Sequence, residues 1–360
     1  MNNSNCIRVA IAGLGNCASS LIEGIHYYRQ NPKLEIGLLF PTLSGYSVRD
    51  IEVVAAFDIS SLKVGKLVKE AIYQSPNNFV RIPGVEVECA PRVFRGPTLD
   101  GNPEHLARFV CESTEPPVDV ASVLEANDVE VFINMLPTGS LEATEFYARA
   151  ALEAGCAFIN CIPTILAQRG EIQELYREKQ LPLLGDDIKS QIGTTILHRA
   201  LLHLLESRGA TLNKTSQVNI GGNTDFANFV YRAESKLVSK RKSLARYLNE
   251  QTDFHVGHHY DPTKGALKNA FIEIEAAVFG GSPVKISIKL ESDDKPNSAG
   301  SVVDLIRIAR GALDKHIGGY IPDACAFYFK SPPAPMDDLE ALEMIRENWV
   351  HSYVESAEKV

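Results

Sequence analysis

The 360-residue chain is 45% hydrophobic and 22% charged, as expected of a globular protein long enough for two domains and a substantial core. A net charge of −9 at pH 7 with no basic patch excludes nucleic acid and anionic lipid as expected partners, so an anionic substrate needs a local group of lysines and arginines to hold it. The seven cysteines form no CxxC pair and indicate neither a disulfide framework nor a cysteine zinc site. No leader-like start or run of ~18 apolar residues is present, so the expected location is cytoplasmic.

The first element is an apolar strand, Ile7 to Ala12, running directly into Gly13-Leu-Gly15-Asn16-Cys17-Ala18 and an amphipathic helix with Leu21, Ile22 and Ile25 at helical spacing. A helix starting within a few residues of a buried parallel strand aims unpaired backbone N–H groups at one point, and pyrophosphate is the usual occupant. Gly13 permits the tight turn, Gly15 lets the phosphates approach the backbone, and Ala18 takes the third glycine's place where helix meets strand. A second apolar strand, Ile51 to Phe57, ends in Asp58, delayed by a loop-like insertion over Asn31 to Asp50. At that position an aspartate binds ribose hydroxyls and repels a ribose phosphate, which favours NAD over NADP.

Strand-like and helix-like segments then alternate. Strands are expected at Val129–Asn134, Ala157–Cys161 and Leu181–Leu184, with helices over Leu141–Ala154 and roughly 164–180; this is βαβ grammar. Ser190 to Ser207 reads as a helix. Leu267–Phe279 and Val284–Glu291 read as a hairpin turning at Gly280-Gly281, and Ala299–Leu313 as a helix. The expected organisation is α/β: a Rossmann doubly wound parallel sheet over 1–189, an α+β domain over 190–315, and a segment over 316–360 that returns to the first domain.

Two polar strand ends carry candidate chemistry. Gly185-Asp186-Asp187-Ile-Lys189-Ser190 follows a short strand, where open α/β sheets present ligand groups; one carboxylate can cap the next helix while the other faces a pocket. Asn223-Thr224-Asp225 closes another strand-like run, and beyond it Lys236 and Lys240, if helical, share one face and can grip a phosphate or simply be solvated. Lys268 enters the hairpin, Asp294 sits in a turn, and Lys330 ends an apolar run. Lys63, Arg95 and His198 read as ordinary surface or core residues. Asp187, Asp225 and Asp294 could hold a divalent or monovalent cation near phosphate, but no His/Cys set identifies an ion.

In order, Gly13-Leu-Gly-Asn-Cys-Ala-Ser, Gly185-Asp-Asp-Ile-Lys-Ser, Gly222-Asn-Thr-Asp225, Ser235-Lys-Leu-Val-Ser-Lys240, Pro296-Asn-Ser-Ala-Gly300 and Phe329-Lys330-Ser-Pro-Pro resemble the motifs of myo-inositol-1-phosphate synthase in its short bacterial and archaeal form, over residues 7 to about 335. The resemblance implies a Rossmann domain with an α+β domain whose sheet covers the active site, assembled as a homotetramer. It implies NAD as cofactor and D-glucose 6-phosphate as the sugar-phosphate substrate, oxidised at C5, enolised, closed between C6 and C1 and reduced again, with inositol 3-phosphate as product and no net redox change. Carried over by motif, the catalytic residues are Lys236, Lys240, Lys268, Lys330, Asp187 and Asp294, with Lys236 nearest the C5 oxygen and Lys330 near the C1 oxygen. The cofactor residues are Gly13, Gly15, Asn16, Cys17, Ala18, Asp58, Asp187, Ser190 and Asp294; Asn223, Thr224 and Asp225 join the four lysines around substrate. Two other readings stay open on the residues alone: an NAD-dependent sugar-phosphate dehydrogenase that releases NADH, and a non-catalytic NAD-sensing scaffold.

Overall fold

A computed structural model describes residues 6–229, 231, 244–249 and 251–351. The strands of the first part are β1 (Ile7–Ala12), β2 (Thr42–Leu43), β3 (Tyr46–Ser47), β4 (Ile51–Asp58), β5 (Val93–Arg95), β6 (Val131–Asn134), β7 (Ala157–Asn160) and β8 (Pro182–Leu184). Then come β9 (Thr211–Gly221), β10 (Asp253–Tyr260), β11 (Lys268–Val278), β12 (Ser282–Ser292) and, last, β13 (Gly319–Tyr320).

Seven strands form a sheet in the order β13-β8-β7-β6-β1-β4-β5, every neighbouring pair parallel. This is the expected Rossmann arrangement. Its strands are short apolar runs because helices cover both faces. The order reverses between β1 and β6, so the crevice beyond the carboxyl end of β1 is the place where such sheets bind ligands. On one face Ile7, Val9, Ile11, Val131, Ile133 and Ile159 pack with Val302, Leu305, Ile306 and Ala309; on the other Phe57, Phe132 and Phe158 pack with Tyr147 and Tyr176.

The second sheet has the order β10-β9-β11-β12, with β10 parallel to β9 and the remaining pairs antiparallel. The expected hairpin is β11–β12, in which Lys268 faces Ser292 and Val278 faces Ser282 across the ladder. Alternation along β11 buries Ala270, Ile272, Ile274 and Ala276 beneath the helix Thr194–Ser207. That helix starts four residues later than the sequence predicts, with Gly193 at its N-cap.

Two elements fall differently from the sequence reading. The helix expected over 299–313 in the second domain spans Asp294–Asp314 and packs against the glycine-turn helix and strands β1, β6, β7 and β8 of the parallel sheet. Its buried face runs through Val302, Leu305, Ile306, Ile308 and Ala309, too apolar to be left over a small sheet's edge, so packing returns to the first domain at about residue 294, not 316. The insertion Asn31–Asp50 contains the short β2–β3 hairpin. Arg307, fully buried beside Asp304, pins it by donating to the carbonyls of Phe40 at 2.9 Å, Pro41 at 3.2 Å and Tyr46 at 3.3 Å.

Candidate active site

Gly13 adopts φ +89°, and a Cβ there would sit 2.6 Å from the Met135 carbonyl oxygen, so the turn admits no side chain. The Leu14 peptide is held at both ends. Its N–H donates to Asp58 Oδ2 at 3.0 Å, and its carbonyl accepts from Lys63 Nζ at 2.8 Å and Asn77 Nδ2 at 3.1 Å. A Cβ on Gly15 would meet nothing within 4 Å, leaving open room for an approaching group. The helix Asn16–Gln30 has no side-chain cap and no acidic residue in its first turn, so its amino end suits an anion.

Asp58 lines the cavity as expected, but it is also engaged by the protein. Its Oδ1 accepts from the N–H groups of Ile59 and Ser60, both at 2.8 Å, and Lys63 Nζ lies 3.6 Å from Oδ2. Ala18 does not line the cavity; it is fully buried in the helix–sheet contact. Cys17 opens onto the cavity, but burial, followed by the nearby charge of Asp225, pushes its thiol up to about 11. It is therefore a thiol at neutral pH rather than a nucleophile.

A cavity of about 320 Å³ runs from this turn to the second sheet. Gly13, Gly15, Asn16, Cys17, Asp58, Asp187, Ser190, Asn223, Thr224, Asp225, Lys268, Asp294 and Lys330 all line it, so residues from seven separate stretches of sequence meet in one place. Asp187 is buried, and its Oδ1 accepts from Lys330 Nζ at 2.7 Å; the same ammonium donates to the Ile188 carbonyl at 2.7 Å. The backbone reinforces the pair, since Lys330 N–H donates to the Asp187 carbonyl at 2.8 Å. Lys268, also in the lining, is ion-paired with Asp294. Asp225 accepts from Thr138 Oγ1 at 3.1 Å, and Asn223 Oδ1 accepts from Phe226 N–H at 3.0 Å at the head of the helix Thr224–Phe229. Lys236 and Lys240 lie outside the described residues. Among the described residues, no group of three or more His, Cys, Asp or Glu side chains is placed to hold a metal ion.

The two adjacent aspartates divide their work, though not through a helix cap. Asp187 has φ +63°, and this left-handed residue separates the directions of the two side chains. Asp186 is fully buried, accepting from Asn160 Nδ2 at 2.7 Å and from Leu166 and Ala167 N–H at 3.0 Å. Burial outweighs these donors and pushes its carboxyl up to about 7. Lys189 points away from the cavity, donating to the Ala326 carbonyl at 2.8 Å and to Asp338 at 3.0 Å, and burial lowers its ammonium to about 8. Lys189 thus pairs with a carboxylate outside the cavity.

His198 is a satisfied core residue, with Nε2 2.6 Å from Thr215 Oγ1. Lys63, read as ordinary, is 3% exposed, lines the cavity and braces the glycine turn. Lys295 was missed as well; it lines the cavity and donates to Asp293 at 2.9 Å. The available signals were position: Lys63 follows shortly after the strand that ends in Asp58, and Lys295 directly follows Asp294.

A family model described as myo-inositol-1-phosphate synthase matches residues 193–295. The inositol-3-phosphate synthase of Corynebacterium glutamicum is 42% identical over 95% of this chain and 98% of its own length; that of Mycolicibacterium smegmatis is 42% identical over 94% and 96%. The crystal structure of Ari2 is 34% identical, superposes with a TM-score of 0.80, and is matched over 95% of this chain and 98% of that one. With 42% identity to such relatives over nearly the full length, and with five of the six motifs that carry the resemblance contributing residues to a single cavity among the described residues, the chain belongs to the myo-inositol-1-phosphate synthase family.

Proposed function

We propose that this protein is an isomerase that converts D-glucose 6-phosphate into inositol 3-phosphate with bound NAD and no net redox change. The observation that carries the reading is the convergence of two lysine–aspartate pairs, Lys330–Asp187 and Lys268–Asp294, on the cavity that opens at the glycine turn. The names of the full-length relatives support the same activity.

The glycine turn fits a dinucleotide: Gly15 faces open space, the helix amino end is uncapped, and Asp58 stands at the end of the next strand. In this reading Gly13, Gly15, Asn16, Cys17, Asp58, Ser190, Asp187 and Asp294 hold the cofactor, and Ala18 keeps the helix close to the sheet. NAD supplies a hydride acceptor that later returns the hydride to the same substrate molecule.

The chain's own residues manage charge and protons. A ring closure that starts from an open sugar develops negative charge on the C5 oxygen and then on the C1 oxygen. Lys330, oriented by Asp187 and the Ile188 carbonyl, donates to the C1 oxygen as charge grows there. Lys268, oriented by Asp294, acts on the substrate from its place in the cavity lining; Lys236 and Lys240, which lie outside the described residues, are the other two lysines that the resemblance assigns to the reaction, Lys236 to the C5 oxygen. Asn223, Thr224 and Asp225 bind sugar hydroxyls. Donors fixed in a water-poor site need little reorganisation during reaction, which is why such ammonium groups act more strongly there than in water.

The test is incubation of the purified protein with NAD and glucose 6-phosphate. Accumulation of inositol phosphate without lasting absorbance at 340 nm is the expected result. Steady growth of that absorbance would identify a dehydrogenase, and unchanged sugar phosphate with retained NAD binding would identify a scaffold.

A further inference from the structure

Between β4 and β5 the chain forms a short segment, Asn77 to Val80, that touches both halves of the cavity's wall. On the cofactor side, Asn77 Nδ2 donates to the Leu14 carbonyl at 3.1 Å and to Ser19 Oγ at 2.9 Å, and Asn78 N–H donates to Asn16 Oδ1 at 2.6 Å. On the far side, Asn78 Nδ2 donates to the Gly265 carbonyl at 3.3 Å, and Val80 N–H donates to Asp293 Oδ2 at 3.0 Å.

The groups reached on the far side are neighbours of a catalytic pair. Lys295 closes the turn by donating to the Ala266 carbonyl at 2.5 Å and to Asp293 Oδ1 at 2.9 Å. Lys268 follows two residues after Ala266, and its partner Asp294 follows Asp293. The turn has little freedom of its own, since a Cβ on Gly222 would lie 2.7 Å from both the Asp261 carbonyl oxygen and the Gly265 nitrogen. The Asn78 amide is also poorly rewarded locally: its Oδ1 is buried with no donor among the described residues. A buried acceptor without a partner costs stability, so an account of this side chain must come from the end aimed at Gly265.

We infer that Asn78 is a positioning residue for the ring-closing reaction, tying the glycine turn to the Gly265–Lys268 turn so that the Lys268–Asp294 pair is held in register with the cofactor. This inference rests on the proposed function. Asn78 touches neither ligand in this account; it acts through Lys268. A displacement of about 1 Å in a group that must meet a reacting atom costs up to roughly a hundredfold in rate, so a single bridging amide is enough to matter.

The test uses full-length Asn78→Ala, which removes the donor, and Asn78→Asp, which keeps the shape but presents an acceptor to the Gly265 carbonyl. Thermal melting, NAD affinity, and kcat and KM for glucose 6-phosphate are measured for each, with Asn78→Ala also placed on Lys268→Met. Both single variants are expected to lose roughly ten- to a hundredfold in kcat while NAD affinity and KM stay within about threefold. In the Lys268→Met background, Asn78→Ala is expected to cost less than about twofold, because groups acting as one unit are not additive. Wild-type kcat in both variants, or full additivity with Lys268→Met, overturns the inference. So does a lowered melting temperature with unchanged turnover per folded molecule, which marks a structural brace. A wild-type protein that forms no inositol phosphate overturns the functional reading beneath it, and this inference with it.

Discussion

The neighbouring carboxylates Asp186 and Asp187 show how strongly position decides chemistry at the scale of single residues. Asp187 reaches the cavity and orients Lys330, whereas Asp186 is buried among backbone donors. Replacing Lys330 by Met is expected to cut inositol phosphate formation by roughly a hundredfold or more, the usual effect of losing a fixed donor to developing charge, while NAD binding measured by titration persists. Asp186 predicts a pH effect. Its folded pKa, about 7, lies above the ordinary value of 3.8, so between these limits the folded protein holds a proton that the unfolded chain releases. Its contribution is therefore fully present at low pH and is lost as pH rises through 7. Urea unfolding at pH 5 and pH 8 should show this as a slope in wild type that is reduced in Asp186→Asn; equal slopes would refute it. The residues alone left open which aspartate faces the pocket, because that depends on the φ of +63° at Asp187 and on the loop at Leu166 and Ala167 folding back; only the family resemblance singled out Asp187. Lys63 escaped notice for a similar reason: a lysine's destination is set by tertiary contacts, here the Leu14 carbonyl and Asn77.

At the scale of elements, the glycine turn was the most legible feature. An apolar strand running directly into glycines leaves few conformations, and β1, the helix from Asn16, β4 and Asp58 fall where the pattern predicts. The two glycines nevertheless have different jobs. Gly13→Ala is expected to cost about 2 kcal/mol or more in unfolding free energy, since the left-handed φ and the Met135 carbonyl both oppose a side chain. Gly15→Ala should leave melting within about 2 °C of wild type but weaken NAD binding by about tenfold, because its methyl group enters the space left for phosphate. Parallel loss of stability in both variants would contradict this division. The helix Asp294–Asp314 was legible as a helix but not in its placement. Amphipathic spacing reports that an apolar face exists, not which sheet covers it.

For the whole molecule, the cavity is the meeting point of the parallel sheet and the mixed sheet, and under the proposed function a dinucleotide bound there would stabilise the folded state. NAD at a concentration of about 100 times its Kd should add about 2.7 kcal/mol, a rise in melting temperature of roughly 3–6 °C for a chain of this size. Scanning calorimetry with and without NAD checks this, and an unmoved transition at millimolar NAD would count against a dinucleotide site. The gathering of Asp187, Asp225, Lys268, Asp294 and Lys330 was legible only through the order of motifs, since no local pattern joins residues so distant in the chain.

The return of the helix Asp294–Asp314 to the parallel sheet has a consequence for how the molecule is made. Until that helix has been synthesised, the face of β1, β6, β7 and β8 that it covers is bare of Val302, Leu305, Ile306 and Ala309, and the edge strand β13 has yet to join β8. A nascent chain that ends before residue 294 therefore carries an exposed apolar sheet face, of the kind that recruits chaperones or aggregates. Folding of the first domain is completed late, by residues near the other end of the chain.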